Sequence, residues 1–222
     1  QLMDRTKERP LPKGNISPAS AHLYGHFLMW GGYLYLAYTV NGLCAIATFI
    51  CGMSYLYIYT PMKITSSLST FFGSIPGAML PIMGWLGKYN NIYEFDSLEP
   101  SIIIVLLSLL LFLWQIPHAL IITIRYKSDY ENAGMKHLPI IYNDDAAYRH
   151  IYLNIVLLMV ASLIPFFYSI FPYFSYAIII IVLHLWLWKA FWNYQKKKEP
   201  ALLIRFYRRL MIYLPTLLTI II

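Results

Sequence analysis

Seven apolar runs, each close to the length needed to cross a bilayer, follow one another along this chain: about 18–39, 40–60, 67–87, 101–124, 150–171, 173–194 and 206–222. A spanning helix needs about 20 mostly apolar residues, because its backbone polar groups must be paired within the segment once water is excluded. Runs of this length, joined by short polar connections, predict an all-α fold: a polytopic transmembrane helix bundle, with residues 1–222 forming a single domain. Only 12% of the residues are charged, against about 25% in soluble domains. The first two runs are separated only at Asn41-Gly42, a weak boundary. The break before the sixth is placed at Phe171-Pro172, since proline cannot continue the preceding helix.

Threading the runs through a bilayer sorts the 17 Lys and Arg residues by side. Lys88 alone falls on one side; all the others fall on the opposite one, in the stretches 5–13, 63, 125–149 and 189–209. That asymmetry assigns the basic face to the cytoplasm or matrix. The formal charge of +7 therefore concerns orientation and the anionic lipid of the bilayer before any anionic substrate. Nucleic acid is excluded as a partner, because the cations are scattered between apolar runs. Cys44 and Cys51, seven apart on one predicted helix, suit no disulfide and are expected to be small core residues.

Three polar constellations meet the basic face. The first is Asp4-Arg5-Thr6-Lys7-Glu8-Arg9-Pro10-Leu11-Pro12-Lys13-Gly14, either a basic flank that only sets topology or, because its prolines and glycine turn the chain and Arg5 and Arg9 offer planar forks, a phosphate site. The second is Tyr59-Thr60-Pro61-Met62-Lys63, followed by a span rich in Gly and Ser with Pro76 inside it. There Lys63 is either a snorkelling lysine or a phosphate ligand, and the small residues either pack helices closely or leave room for a bulky ligand. The third sets Trp114, Gln115, Pro117 and His118 inside a span, then Arg125, Tyr126, Lys127, Asp129, Tyr130 and Glu131 at its end. A lone histidine at this depth is either a satisfied residue of the bundle or a functional one, since polar residues in hydrocarbon are costly. Carboxylates mixed with cations at a membrane face suit Mg2+ bridging a diphosphate, although a solvated charged loop has much the same composition. His22 and His26 share a helix face and are expected to pack at the interface; His184, Trp186, Trp188, Phe191 and Trp192 have the composition of an interfacial belt.

In order along the chain stand R-T-x-x-R-P-L-P-x-G-x-I-S-P from Arg5, Y-T-x-x-K from Tyr59, P-G-A-x-x-P-x-x-G-W from Pro76, W-Q-I-P-H from Trp114 and Y-K-x-D-Y-x-x-A-G-x-x-x-L-P from Tyr126. Together they resemble the protohaem IX farnesyltransferases, or haem O synthases, of the UbiA-type intramembrane prenyltransferases. The likeness carries motifs as far as Pro139 and is only a hydrophobic pattern beyond. It implies a nine-helix bundle around a cavity closed by polar loops, of which the seven runs here would be the third to the ninth. The family's first Asp-rich motif, N-x-x-x-D-x-x-x-D, would precede Arg5, so a fragment lacking two helices and that motif, inactive alone, is expected. Of the paired aspartates in the second motif of many relatives, only Asp129 matches.

The resemblance implies transfer of the farnesyl group of farnesyl diphosphate to a vinyl group of protohaem IX, giving haem O for haem–copper oxidase assembly. It places Asp129, Lys63 and Arg125 at the catalytic centre. Arg5, Arg9, Lys63, Arg125, Lys127, Tyr126 and Tyr130 would hold the diphosphate, Asp129 would hold Mg2+, and Trp114, Gln115 and His118 would face haem. It also makes haem A synthase a candidate partner and a bacterial cytoplasmic membrane the expected location in preference to a mitochondrial one. Competing readings are a prenyltransferase acting on an aromatic quinone precursor, a seven-span transporter or receptor, and a haem-carrying electron-transfer protein.

Overall fold

Capping residues set the first helix boundaries. In the computed structural model, which describes residues 2–89, 98–167 and 174–221, Ser17 caps α1 (Pro18–Thr39) by accepting from the Ser20 N–H at 3.0 Å, and Pro18 occupies the first helical position, where its missing N–H does no harm. The weak boundary at Asn41 is a true one. Its side chain accepts from the Cys44 N–H at 2.8 Å to start α2 (Gly42–Met53), and its amide donates to the carbonyls of Leu86 and Gly87.

Proline shapes the next segments. Pro61 cannot donate to the carbonyl four residues back, and the chain answers with a π-helical stretch, Ser54–Tyr59, before α3 (Thr60–Thr65). A wide turn of this kind is rare and tends to sit at functional sites. After α3 come α4 (Ser69–Ala78) and α5 (Leu80–Lys88), which meet at Met79 between Pro76 and Pro81. α6 (Leu98–Arg125) stays helical through Pro117 and is followed by short helices α7 (Lys127–Asn132) and α8 (Leu138–Ile141). Then come α9 (Asp144–Ser162), α10 (Ile164–Phe167), α11 (Phe174–Lys197) and α12 (Pro200–Ile221).

Every regular element among the described residues is helical, and helices stand where the seven runs predicted them. Four segments are long and apolar enough to cross a membrane: Gly42–Thr65, Ile102–Arg125, Asp144–Phe166 and Phe174–Lys197. The chain is an integral membrane protein on that basis. The other three predicted spans fall short for identifiable reasons. Glycines, tyrosines and two histidines dilute α1, Met79 interrupts α4–α5, and α12 carries Arg205, Arg208 and Arg209 near its start. Two starts also shift. Capped by Asn143, α9 starts at Asp144, six residues before the predicted 150, with Asp144 and Asp145 in the first turn, where acidic groups favour the helix dipole. α12 begins at Pro200 instead of 206. Phe171-Pro172 lies outside the described residues.

α6 is the central helix, packing against α4, α5, α9 and α12, while α11 packs on α12. Leu110, Ile121, Ile155, Ile180, Leu210 and Leu217 are fully enclosed in the core they form. Since lipid is as apolar as leucine, this packing is driven by close contact and not by exclusion of water. The belt expected from 184 to 192 divides. Trp192 does face outward, with the Lys196 ammonium 5.6 Å from its ring. His184 and Phe191 instead point inward: His184 is buried with Nε2 2.8 Å from Ser162 Oγ, and Phe191 packs on Phe206. Cys44 and Cys51 are buried and free, as expected.

Candidate active site

The basic loops converge at one end of the bundle. Gly14 adopts φ +80, a left-handed turn that glycine supplies without steric cost, and the Asn15 N–H returns to the Pro10 carbonyl at 2.9 Å, so the Pro- and Gly-containing stretch is folded. This segment is pinned to α7 by Asp129, whose two carboxylate oxygens accept from the N–H groups of Asp4 (3.4 Å) and Arg5 (3.3 Å). The Arg5 guanidinium is thereby held 4.9 Å over the Tyr126 ring and 5.6 Å from that of Tyr130, and Nη2 donates to the Tyr130 hydroxyl at 3.0 Å. Across from it, the π-helical stretch aligns Tyr55 and Tyr59 beneath the Lys63 ammonium, which lies 4.3 Å from the Tyr59 ring centre. Because α3 ends at Thr65, the Lys63 carbonyl is free to accept from the Lys136 N–H, at 2.7 Å.

These contacts enclose a cavity of about 440 Å³, within the usual size of small-molecule sites. Arg5, Arg9 and Lys63 stand at its mouth, with Tyr59 and Tyr130 on its walls. Gln115 and His118 lie deeper, His118 being seven residues before the end of α6, or about 10 Å along the helix. Among the described residues the ion pairs are Lys7–Asp4, Lys13–Glu8 and Lys127–Asp144. The three cations of the mouth take part in none of them. A site with three uncompensated positive charges and aromatic walls attracts a polyanion attached to an apolar group.

Glycine makes room for this lining. A Cβ on Gly77 would lie 2.1 Å from Gln115 Nε2, and one on Gly73 would lie 2.5 Å from the Tyr59 ring. The small residues of the second constellation therefore admit the site's own side chains. The His118 ring is clamped between Trp114 (4.8 Å, 18° between planes) and Tyr207 of α12 (5.5 Å, 28°). Trp114 is itself fixed by its Nε1 donating to the Leu210 carbonyl at 2.8 Å, and His118 Nδ1 is buried without a hydrogen-bond partner.

Of the residues expected from the sequence, Arg5, Arg9, Lys63, Tyr130, Gln115 and His118 line this one cavity. Five others do not. Trp114 backs His118 instead of lining the space. Tyr126 supports Arg5 from the side, and Asp129 sits at the rim holding the N-terminal segment. Lys127 is bound to Asp144 at 2.9 Å, and Arg125 is not among the lining residues, its guanidinium lying 5.2 Å from the ring of Tyr126, over which Arg5 also sits. His22 and His26 stack on each other at 4.5 Å on exposed α1.

Two lining or supporting residues escape sequence reasoning. Tyr207 lies beyond the last motif, and nothing in α12 marks it. His137 lies inside K-H-L-P, where its proximity to Leu138-Pro139, the start of a short helix, was the available signal. It is buried, with Nδ1 3.1 Å from Ser69 Oγ, and burial together with the nearby Lys63 ammonium pushes its pKa down to about 4.

For a metal, the described residues contain no cluster of three or more His, Cys, Asp or Glu side chains placed to hold an ion. Asp129 offers one carboxylate at the rim, which suits Mg2+ only if the remaining ligands come from a bound phosphate and water.

Comparison with known proteins agrees with this geometry. The profile of the UbiA prenyltransferase family matches residues 1–213. The protoheme IX farnesyltransferase of Myxococcus xanthus is 34% identical over 166 residues, covering 75% of this chain and 54% of that protein. Proteins of the same name from Opitutus terrae (32%) and Aquifex aeolicus (30%) match over 97% and 98% of this chain and 71% of their own length. The chain thus spans about half the length of relatives such as the Myxococcus protein and more of others. Among solved structures, one described as digeranylgeranylglyceryl phosphate synthase in membranes superposes with a TM-score of 0.70 over 98% of this chain and 74% of its own, at 20% identity. That likeness shows the fold.

Proposed function

The chain belongs to the UbiA prenyltransferase family, and from that membership we propose that it transfers the farnesyl group of farnesyl diphosphate to a vinyl group of protohaem IX, giving haem O. The observation that carries the reading is the convergence of Arg5, Arg9 and Lys63, without carboxylate partners, on a cavity whose deeper wall holds Gln115 and a clamped His118. The relatives named protoheme IX farnesyltransferases favour haem as the acceptor.

In this reading the three cations and the Tyr130 hydroxyl bind the diphosphate. Mg2+, held by Asp129 and by diphosphate oxygens, would further neutralise the leaving group. The allylic C–O bond breaks with its electron pair leaving on the diphosphate, and fixed positive charge aimed at that developing anion lowers the barrier. The farnesyl cation is shielded from bulk water by the cavity walls, where aromatic faces such as Tyr59 favour a cation. The vinyl π electrons form the new C–C bond. Water then adds to the resulting porphyrin-side cation and releases one proton, which yields the hydroxyethylfarnesyl side chain. Gln115 and His118 would orient the haem, with Trp114 and Tyr207 holding the His118 ring in place. Arg125 and Lys127 do not line the cavity and would act through their neighbours, Arg125 through Tyr126 and Lys127 through Asp144. A bacterial cytoplasmic membrane, with the basic end inside, fits the bacterial relatives.

The test is reconstitution of the full protein in lipid with farnesyl diphosphate, Mg2+ and protohaem. Formation of a haem heavier by one farnesyl group and one hydroxyl supports the reading. Prenylation of an aromatic quinone precursor with protohaem left untouched would replace the acceptor.

A further inference from the structure

We infer that His137 is a neutral hydrogen-bond donor to the leaving diphosphate, and that Ser69 fixes the ring tautomer that makes it one. The inference rests on the prenyltransferase reading and adds to the diphosphate site a residue from outside the charged constellations.

The backbone places the ring. The Lys136 N–H bonds to the Lys63 carbonyl at 2.7 Å, which closes the loop after α7 onto the end of α3. His137 then caps α8, its carbonyl accepting from the N–H groups of Ile140 (3.0 Å) and Ile141 (3.1 Å). The ring consequently falls between α4 and α7. Nδ1 lies 3.1 Å from Ser69 Oγ, the Tyr130 ring meets the imidazole edge-on at 5.2 Å and 86°, and the residue lines the same cavity as Arg5, Arg9 and Lys63.

Proton bookkeeping decides the tautomer. Ser69 is wholly buried, and among the described residues its hydroxyl has His137 Nδ1 as its hydrogen-bond partner. If Nδ1 carried the ring proton, the buried serine proton would have no acceptor, a costly arrangement. The serine therefore donates to Nδ1, and the neutral ring carries its proton on Nε2, the nitrogen away from Ser69. The ring stays neutral near pH 7 because burial and the facing Lys63 ammonium disfavour its charged form.

The mouth then consists of donors. Arg5, Arg9 and Lys63 have no acceptor atoms on their charged ends. Tyr130 accepts from Arg5 Nη2 and so turns its own proton outward, and His137 adds Nε2–H. A diphosphate, with many lone pairs, satisfies all of them at once. A neutral donor has an advantage here, because a fourth cation would be repelled by Lys63 while an uncharged N–H is not. As the C–O bond breaks and charge accumulates on the departing oxygens, this hydrogen bond strengthens, and His137 keeps its proton throughout.

The experiment measures binding of inorganic pyrophosphate and of farnesyl diphosphate, both with Mg2+, to the full protein in lipid nanodiscs, with protohaem affinity as the control. His137→Phe retains the ring and its edge contact with Tyr130 but lacks both nitrogens; Ser69→Ala retains His137 and removes the tautomer lock. The expected result is a pyrophosphate affinity weakened about tenfold or more in His137→Phe and by a smaller factor in Ser69→Ala, with protohaem affinity within about twofold of wild type. Unchanged pyrophosphate affinity in His137→Phe overturns the inference and leaves the prenyltransferase reading standing, as does a parallel loss of both affinities. Nitrogen-15 spectra of the wild-type histidines give a second readout that needs no variant, and a proton found on His137 Nδ1 would also overturn it. A wild-type protein that binds neither diphosphate removes the prenyltransferase reading itself.

Discussion

Gly77→Ala tests whether the cavity floor is set by close packing. Added to the observed backbone, the new Cβ would lie 2.1 Å from Gln115 Nε2, 2.5 Å from Oε1 and 2.6 Å from Cδ, whereas ordinary contact begins near 3.4 Å. The Gln115 amide must therefore move by more than 1 Å. Its flexible side chain can do so without shifting either helix, and alanine is the better helix former by roughly 0.5–1 kcal/mol. The net change in stability should thus stay within about 1 kcal/mol. Function should suffer far more, because a misplacement of about 1 Å in a positioning group costs on the order of 100-fold in rate, equivalent to roughly 2.7 kcal/mol of activation free energy. Turnover with farnesyl diphosphate and protohaem, beside a thermal unfolding curve, separates the two quantities. The double variant sharpens the test: once Gln115→Ala has removed the obstructed amide, adding Gly77→Ala should cost little more, giving strong non-additivity. Gly84→Ala is the control within the same motif, since nothing lies within 4 Å of its Cβ position. Wild-type turnover in Gly77→Ala, or simple additivity with Gln115→Ala, would refute the reasoning.

Two further predictions concern the mouth. His137 faces Lys63, Arg5, Arg9 and Tyr130, and its folded-state pKa of about 4 lies below the ordinary value of 6.5, so between those values the unfolded chain binds a proton that the folded one does not. Stability should therefore fall as pH drops from 6.5 toward 4, by up to roughly 3 kcal/mol at about 1.4 kcal/mol per unit, and a wild-type melting temperature no more acid-sensitive than that of His137→Phe would count against it. For Asp129→Asn, the pyrophosphate affinity measured with Mg2+ should fall about tenfold or more while that measured without the ion changes little; equal losses in both would make Asp129 solely an anchor for the N-terminal segment.

Helix order was legible in the sequence because long apolar runs have few structural solutions in lipid. Caps and prolines sharpened it: Asn41 and Pro61 act where they stand, the first ending one helix and starting the next, the second forcing the π-helical stretch. Helix starts were less legible. The α9 and α12 starts lie in polar sequence that a search for apolar residues skips, although Asn143 carries its own capping signal. The orientation of individual side chains was least visible. His184 and Phe191 have belt composition, yet Ser162 and Phe206 draw them inward, and these partners lie 22 and 15 positions away along the chain.

The site divides along the same line. Residues whose role is charge could be read from type and side of the membrane, and Arg5, Arg9 and Lys63 do converge. Charge alone could not tell a free cation from a neutralised one: Lys127 looks like Arg9 in sequence but is bound to Asp144, which lies at the start of α9, 17 positions on. Nor could it reveal an uncharged donor, and His137 was missed because its chemistry depends on Ser69, 68 positions away. Asp129 shows why spacing predicted a participant better than a role. Its carboxylate has about four lone-pair sites, and two N–H groups at 3.3 and 3.4 Å leave others for an ion. The same side chain that sets the N-terminal segment, and with it Arg5, can therefore also meet the metal. In the proposed reaction, placement of Arg5 and neutralisation of the diphosphate would then depend on one carboxylate, which would tie assembly of the mouth to the chemistry performed there.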